Sequence, residues 1–568
     1  MTCITRLSAA VIGGLALAAC SDSAGPNNGL PSCGAHGTRL SLGVGQYALN
    51  NAVTDSGCVR FAANTSSDTA EYLVLPWSDG GDVSSGGQPS APFTLQSATA
   101  VTAALMAQNL VAPGSSRFRT GRAQGARGPA AVAFDRFLRT SWRGGRFLSR
   151  VNAPVQTSAV ANAIAAGPPS VGDKRTFRVC ASLDLCKKVD TVGAVARSVG
   201  THIAIYIDTL APSPGLSQSD LDSLKSVFDS RLYALDTTTF GGVSDIDSNT
   251  VVIVLMTNTV NKLVSASRCT TDGYIAGFFF PLDLASSTWN NGEIFYSIVA
   301  DPNGTLSCTH TVDDVNKVMP VTFTHEFQHM INFAQHFVMR SCQCSEDGWL
   351  DEGLSKYAEE IAGRSFLLDG DSAAFSQYAI GDVYDAYQYL SSPQSSPLLI
   401  PEDTGSLAEV GASWLFTRFI VDRFGNALPG KLVRTAMYGI QNVETQTGQA
   451  FDSTVTQWSL ANWVASFSTA SRSAFPAQLQ YTTWDFRHTF DTVSVQDPTD
   501  FPRRYPLVPT IVADNAVNLS GTLRAGTGYY LRVMQPPNGA EFGLRFTGPG
   551  GAAVSQTVVP RLNILRIR

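Results

Sequence analysis

His325-Glu326-Phe327-Gln328-His329 constrains this chain more than any other segment, because its residues act together only if they are helical. Residues at i and i+4 on an α-helix stand about one turn apart on one face, so the two imidazoles project together. The flanking residues support the helix. Phe323, Phe327, Met330, Ala334 and Phe337 fall at i, i+4, i+7, i+11 and i+14 and make one apolar stripe. At roughly 100° per residue the histidines lie well away from that stripe. The helix is therefore expected to anchor in a core and turn its imidazoles toward a cleft. Pro320 suits a first turn, or kinks a helix begun earlier near Asp313 and Asp314.

Two histidines so placed suit a zinc ion (Zn2+), and Glu326 flanks their face, where a carboxylate deprotonates a metal-bound water without ligating. Catalytic zinc takes three protein ligands. Glu352, within Trp349-Leu350-Asp351-Glu352-Gly353-Leu354-Ser355, is the best candidate for the third. Asp351–Ile361 reads as a second helix, acidic at its start, with Leu354, Tyr357, Ala358 and Ile361 at helical spacing. A bare HExxH arises by chance in on the order of one such chain per hundred. Its pairing with W-L-x-E-G-x-S makes a surface accident a poor explanation. His336 also lies on the histidine face, but the helical rise puts it about 10 Å beyond His329, so it is expected to be a polar edge residue. The pattern HExxHxxGxxH fails, since Asn332 and Gln335 stand where it needs Gly and His.

Thr324–Phe333 (THEFQHMINF) and Trp349–Glu359 (WLDEGLSKYAE) resemble the hyicolysin family of secreted bacterial metallopeptidases. The similarity extends to Phe240–Asp247, Glu293–Tyr296 and Ala412–Phe416, and so to about residues 170–490. The resemblance implies a zinc endopeptidase of gluzincin type, with His325, His329 and Glu352 as ligands and Glu326 as base. In thermolysin-like relatives an aspartate four residues past the glutamate ligand supports a histidine. Lys356 stands there in this chain, which leaves that support unassigned. The donor to a transition-state oxyanion, a histidine or tyrosine in such peptidases, is sought among Tyr378, Tyr384, Tyr387, Tyr389 and His488. No single one is singled out.

The N-terminus reads as a signal segment, residues 1–19, with Arg6 before an apolar run from Leu7 to Ala19. Leu17-Ala18-Ala19-Cys20 resembles a bacterial lipobox, which makes Cys20 the expected lipidation site. The protein is then exported and held to the cell envelope by a lipid anchor, through a flexible tether over residues 20–37. Of 10 cysteines, Cys3 leaves with the signal and Cys20 takes lipid. The even remainder in an exported chain suggests disulfides. Neighbour pairing gives Cys33–Cys58, Cys180–Cys186 and Cys269–Cys308, and leaves Cys342 and Cys344 on the loop between the two ligand helices. A formal charge of −6 argues against nucleic-acid binding.

The remaining chain divides by pattern. Residues 38–115 alternate as an N-terminal β domain, and residues 116–170 form an Arg-rich linker with some helical character. Residues 171–490 make the catalytic domain, with strands at Thr201–Ile207 and Val251–Met256 around a helix at Ser217–Tyr233. Residues 495–568 return to β signals as a C-terminal accessory domain. Asp245, Asp247 and Asn249 lie in an oxygen-rich loop that a structural calcium ion (Ca2+) would suit. It lacks the glutamate an EF-hand requires, so a turn is the favoured reading. Glu293–Ala300 is expected to be the edge strand that holds an extended peptide. The fold class is thus multidomain α+β: a zincin-like catalytic domain with a mixed-sheet lobe and a helical lobe, flanked by N- and C-terminal β domains. Its expected partners are protein or peptide substrates; oligomeric state is left open. A surface adhesion lipoprotein with a degenerate peptidase domain, or a zinc amidase acting on a cell-wall amide, are the alternatives.

Overall fold

The computed structural model describes Cys33, residues 37–98 apart from 52, 55–56 and 84–86, Phe134, and residues 167–568 apart from 185, 287–288, 341, 343 and 402–405. The signal segment, Cys20, the tether up to Cys33 and nearly all of the Arg-rich stretch lie outside the described residues. Among the described residues, no helix is long and apolar enough to cross a membrane.

Strand β4 (Ala70–Ser78) decides the architecture of one half of the molecule, because every one of its residues is buried. Successive side chains on a strand point to opposite faces, so such a strand has to be covered on both. Tyr72 and Val74 enter one core, and Leu73, Leu75 and Trp77 enter another. The neighbours that β4 recruits come from the far end of the chain. They are β14 (Leu531–Gln535) and β16 (Pro560–Arg566), both antiparallel to it. With β12 (Thr510–Val512) and β2 (Tyr47–Asn51) outside them, the order is β12-β14-β4-β16-β2. The facing sheet mixes the two ends in the same way. It runs β1 (Thr38–Leu40), β3 (Cys58–Phe61), β15 (Phe542–Thr547), β5 (Ser90–Ser97), β13 (Asn518–Arg524). Side chains from both sheets share one core, with Phe61 stacked on Phe542 at 4.4 Å and Tyr72 edge-on to Phe61 at 4.8 Å. The N- and C-terminal strands therefore build one sandwich, not the two flanking β domains expected at 38–115 and 495–568. Either set alone would leave open edges and uncovered apolar faces.

The outer face of β4 docks on the helix Phe451–Val464. Trp77 meets Trp458 edge-on at 6.5 Å, and Asp79 accepts a hydrogen bond from the Thr456 hydroxyl at 2.5 Å. Burial raises the Asp79 pKa to about 8, against the pull of the Thr456 hydroxyl and Arg561. The unfolded value is about 3.9, so the fold holds this proton more tightly. The stability it contributes is complete below about pH 4 and is lost as pH rises toward 8. Asp79→Asn, neutral throughout, is expected to shrink the stability lost between pH 5 and pH 8 by on the order of 2 kcal/mol. Urea midpoints of metal-stripped wild type and variant at the two pH values read this out. Equal losses would mean that Asp79 is ionised in the fold.

The second half is built on a six-stranded mixed sheet ordered β10-β11-β9-β8-β7-β6. Its strands are β6 (Lys174–Cys180), β7 (Val189–Val199), β8 (Ile203–Asp208), β9 (Val252–Met256), β10 (Gly277–Phe279) and β11 (Ile294–Ser297). β8, β9 and β11 run parallel, and β10 pairs antiparallel with β11. The expected edge strand at Glu293–Ala300 is corrected. β11 lies inside the sheet with all of its residues buried, and β10 is the edge. β11 is hydrogen-bonded on both sides, to β9 and to β10, so its backbone has no free edge to offer a peptide. Helix α1 (Gln218–Val227) continues through a π turn at Phe228–Leu232 into α2 (Tyr233–Thr239), past the expected end at Tyr233. Helices α3 (Val312–Phe333), α4 (Gly348–Leu368), α5 (Ser372–Ser391) and α6 (Leu407–Phe424) belong to this half. The three neighbour disulfides are present, and Cys342 pairs with Cys344.

Candidate metal centre

Helix α3 opens on a capping box. Asp314 N–H donates to Thr311 Oγ1 at 3.1 Å, and Thr311 N–H donates to the Asp314 carboxylate at 3.3 Å. Pro320 is accordingly inside the helix, which begins near Asp313 as the longer of the two readings has it. The apolar stripe seats α3 on the sheet and on the π turn that follows α1. Phe323 meets Phe295 of β11 at 5.3 Å, Phe327 meets Phe228 at 5.1 Å, and Met330 and Ala334 are fully buried. The opposite face turns His325 and His329 toward α4. That helix begins at Gly348, before the expected start at Asp351, and ends at Leu368, beyond the expected Ile361. A Cβ at Gly353 would lie 2.6 Å from the Ser413 carbonyl of α6 and collide with the Thr417 hydroxyl. The glycine next to Glu352 is thus what lets α4 approach α6.

His325, His329 and Glu352 converge. His325 Nε2 and His329 Nε2 are 3.0 Å apart, and the Glu352 carboxylate oxygens lie 3.8 Å from each. All three side chains are buried, and Glu352 Oε1 has no hydrogen-bond partner. A buried acceptor left without a donor is costly, unless a cation takes its place. Tetrahedral zinc, with bonds of about 2.0–2.1 Å, spaces its donor atoms by about 3.3 Å, and this set brackets that value. The residues fit the ion.

The other imidazole nitrogens are both engaged. His325 Nδ1 donates to Glu359 Oε1 at 2.8 Å, and His329 Nδ1 donates to Asp351 Oδ2 at 2.9 Å. Asn332 Nδ2 donates to the other Asp351 oxygen. With Nδ1 protonated and held, each Nε2 keeps its lone pair for a metal. Sequence reasoning missed both carboxylates. Glu359 carries a signal, since it stands two helical turns past Glu352 on the same face. Glu326 Oε2 accepts the Phe279 N–H of edge strand β10 at 2.8 Å.

The remaining candidates go elsewhere. His336 is a buried core residue, not a polar edge residue: Nδ1 donates to the Asn332 carbonyl at 2.9 Å, and Nε2 lies 3.2 Å from the Met437 carbonyl. Tyr378 stacks on Phe366, Tyr384 and Tyr387 meet Phe501 edge-on, and Tyr389 stacks on Trp458. These are the contacts of packing residues. His488 takes its place near the start of the helix Phe486–Gln496. Asp245 and Asp247 are joined by Glu293, a carboxylate from outside their loop. Within it Ser244 Oγ donates to Glu293 at 2.6 Å and Asn249 Nδ2 to Asp247 at 2.8 Å, and one oxygen from each of the three carboxylates faces a common point.

No family model matches the chain. The neutral metalloprotease ShpI of Staphylococcus hyicus is 29% identical to it over 136 residues. That stretch is 24% of this chain and spans 29% of that protein's length. The partial similarity is to a metalloprotease, and the His325, His329 and Glu352 cluster is a set of side chains able to hold a metal ion.

Proposed function

We propose that the chain is an exported zinc endopeptidase of the hyicolysin kind, with His325, His329 and Glu352 as ligands and Glu326 as general base. The observation that carries this reading is one arrangement. Three buried donors face a common point while carboxylates hold both outward-facing imidazole nitrogens. His325, His329 and Glu352 would hold the ion, which would supply Lewis acidity enough to bring a water's pKa toward neutrality. Glu326 takes the proton of the attacking water and passes it to the leaving amine nitrogen. The Phe279 N–H aims that carboxylate from the sheet edge. Asp351 and Glu359 fix the imidazoles in one tautomer, so no reorientation is needed when the metal is bound. The similarity to a neutral metalloprotease favours peptide bonds over other amides as the target.

The signal-like run ending at Ala19 supports export, and the lipobox supports a lipid anchor at Cys20. Four disulfides fit an oxidising compartment. The test is hydrolysis of casein by zinc-loaded protein beginning at Ser21. Cleavage is expected to stop when a chelator removes the metal and to return when zinc is restored. Protein that holds zinc but cuts neither casein nor a panel of unstructured peptides would sink the endopeptidase reading.

A further inference from the structure

Lys356 lies on α4 one turn past Glu352 and is 1% exposed, which is an unusual place for an ammonium group. A buried cation persists only with compensating partners. Lys356 Nζ lies 3.0 Å from Asp382 Oδ1 and 3.1 Å from Asp385 Oδ2, both on α5. It also lies 3.7 Å from Glu359 Oε2. The other oxygen of Glu359 accepts the His325 Nδ1 proton at 2.8 Å. One side chain therefore connects α5 to the carboxylate behind a ligand histidine. The two histidines differ in this respect, because the carboxylate behind His329 is steadied by the neutral amide of Asn332 from α3 itself.

We propose that Lys356 is a positioning residue of the metal centre. It anchors Glu359 from behind, through Asp382 and Asp385, so that Glu359 holds His325 with Nε2 directed at the metal. The proposal rests on the zinc-site reading above. It explains why a lysine can stand where an acidic residue would be looked for. The carboxylate that meets the histidine stands further along α4, and the lysine secures it.

The experiment uses the full chain with its histidine ring nitrogens isotope-labelled. Nitrogen–proton correlation spectra are recorded on metal-stripped protein, with signals assigned by His325→Asn and His329→Asn. Wild type is expected to show both histidines as the Nδ1–H tautomer. In Lys356→Met, His325 is expected to become a tautomer mixture while His329 stays unchanged. Zinc affinity, measured by competition with a chromophoric chelator, is expected to fall about 10-fold. Lys356→Arg, which keeps the cation, should restore the His325 tautomer. If Lys356→Met does not fold, Asp385→Asn decides, with the same direction expected for His325 and for zinc. A folded variant with unaltered His325 tautomer and zinc affinity overturns the proposal and leaves the zinc site standing. Joint movement of His325 and His329 also overturns it, by showing general loss of structure. Wild type that takes up no zinc overturns the metal reading and this proposal together.

Discussion

Glu326→Gln is expected to lower kcat/KM for peptide hydrolysis by about 10²–10⁴-fold while zinc content stays at the wild-type level. The separation of the two effects is the point. Glu326 lies outside the cluster of His325, His329 and Glu352, so its charge is expected to be dispensable for holding an ion. A glutamine keeps the shape and an oxygen to accept the Phe279 N–H now bound at 2.8 Å. It cannot accept the proton of the attacking water. The loss should fall on kcat, because the proton is taken from the water only as the transition state forms. Steady-state kinetics on a fluorogenic peptide, beside metal analysis of the same samples, measures both quantities. A variant that loses zinc in proportion to activity would place Glu326 in the ligand set. One that keeps full activity would assign the base to another group.

The pairing of His325 with His329 is legible in the sequence because helix geometry is local and spacing alone says which residues share a face, whereas Glu352, on another helix, is reached only through the W-L-x-E-G-x-S motif around it. The carboxylates behind the histidines are only half legible. Glu359 repeats the face of Glu352 after two turns, but its partner depends on how α4 is rotated against α3. Asp351 meets His329 for the same reason, and nothing in either segment specifies that rotation. The three disulfides between successive cysteines follow from proximity along the chain.

The sandwich shows where local reading stops. Alternation marks Glu71–Pro76 as a strand, yet its neighbours are Leu531–Gln535 and Pro560–Arg566, joined to it only after most of the chain has been laid down. Hydrophobic pattern says how deeply a strand is buried, and that it must have neighbours, without naming them. His336 is a parallel case. Its helical position is fixed by the sequence, while its burial comes from the Met437 segment packing over it.

Glu360→Ala is expected to destabilise the fold by about 3–5 kcal/mol, the largest effect on stability anticipated for a residue outside the metal set. Glu360 follows Glu359 on α4 but points the other way, toward α6, and is 0% exposed. Its carboxylate accepts from Arg364 Nε at 2.7 Å, Arg418 Nη1 at 3.2 Å, Trp414 Nε1 at 3.1 Å and Trp484 Nε1 at 2.7 Å. Burial works against the charge on Arg418, but Glu360 and Asp422 outweigh it and raise its pKa. Truncation removes one of those two anions and leaves two indole N–H donors without their acceptor, which is the costly direction of such a change. Replacing Glu360 by Leu and Arg418 by Met together should cost less than Glu360→Ala alone, since both charges then leave the interior. Urea unfolding of metal-stripped protein measures the series without the contribution of bound zinc. A loss under about 1 kcal/mol for Glu360→Ala would show that Asp422 alone suffices for Arg418. The junction of α4 with α6 would then depend on the close approach at Gly353 and on apolar packing.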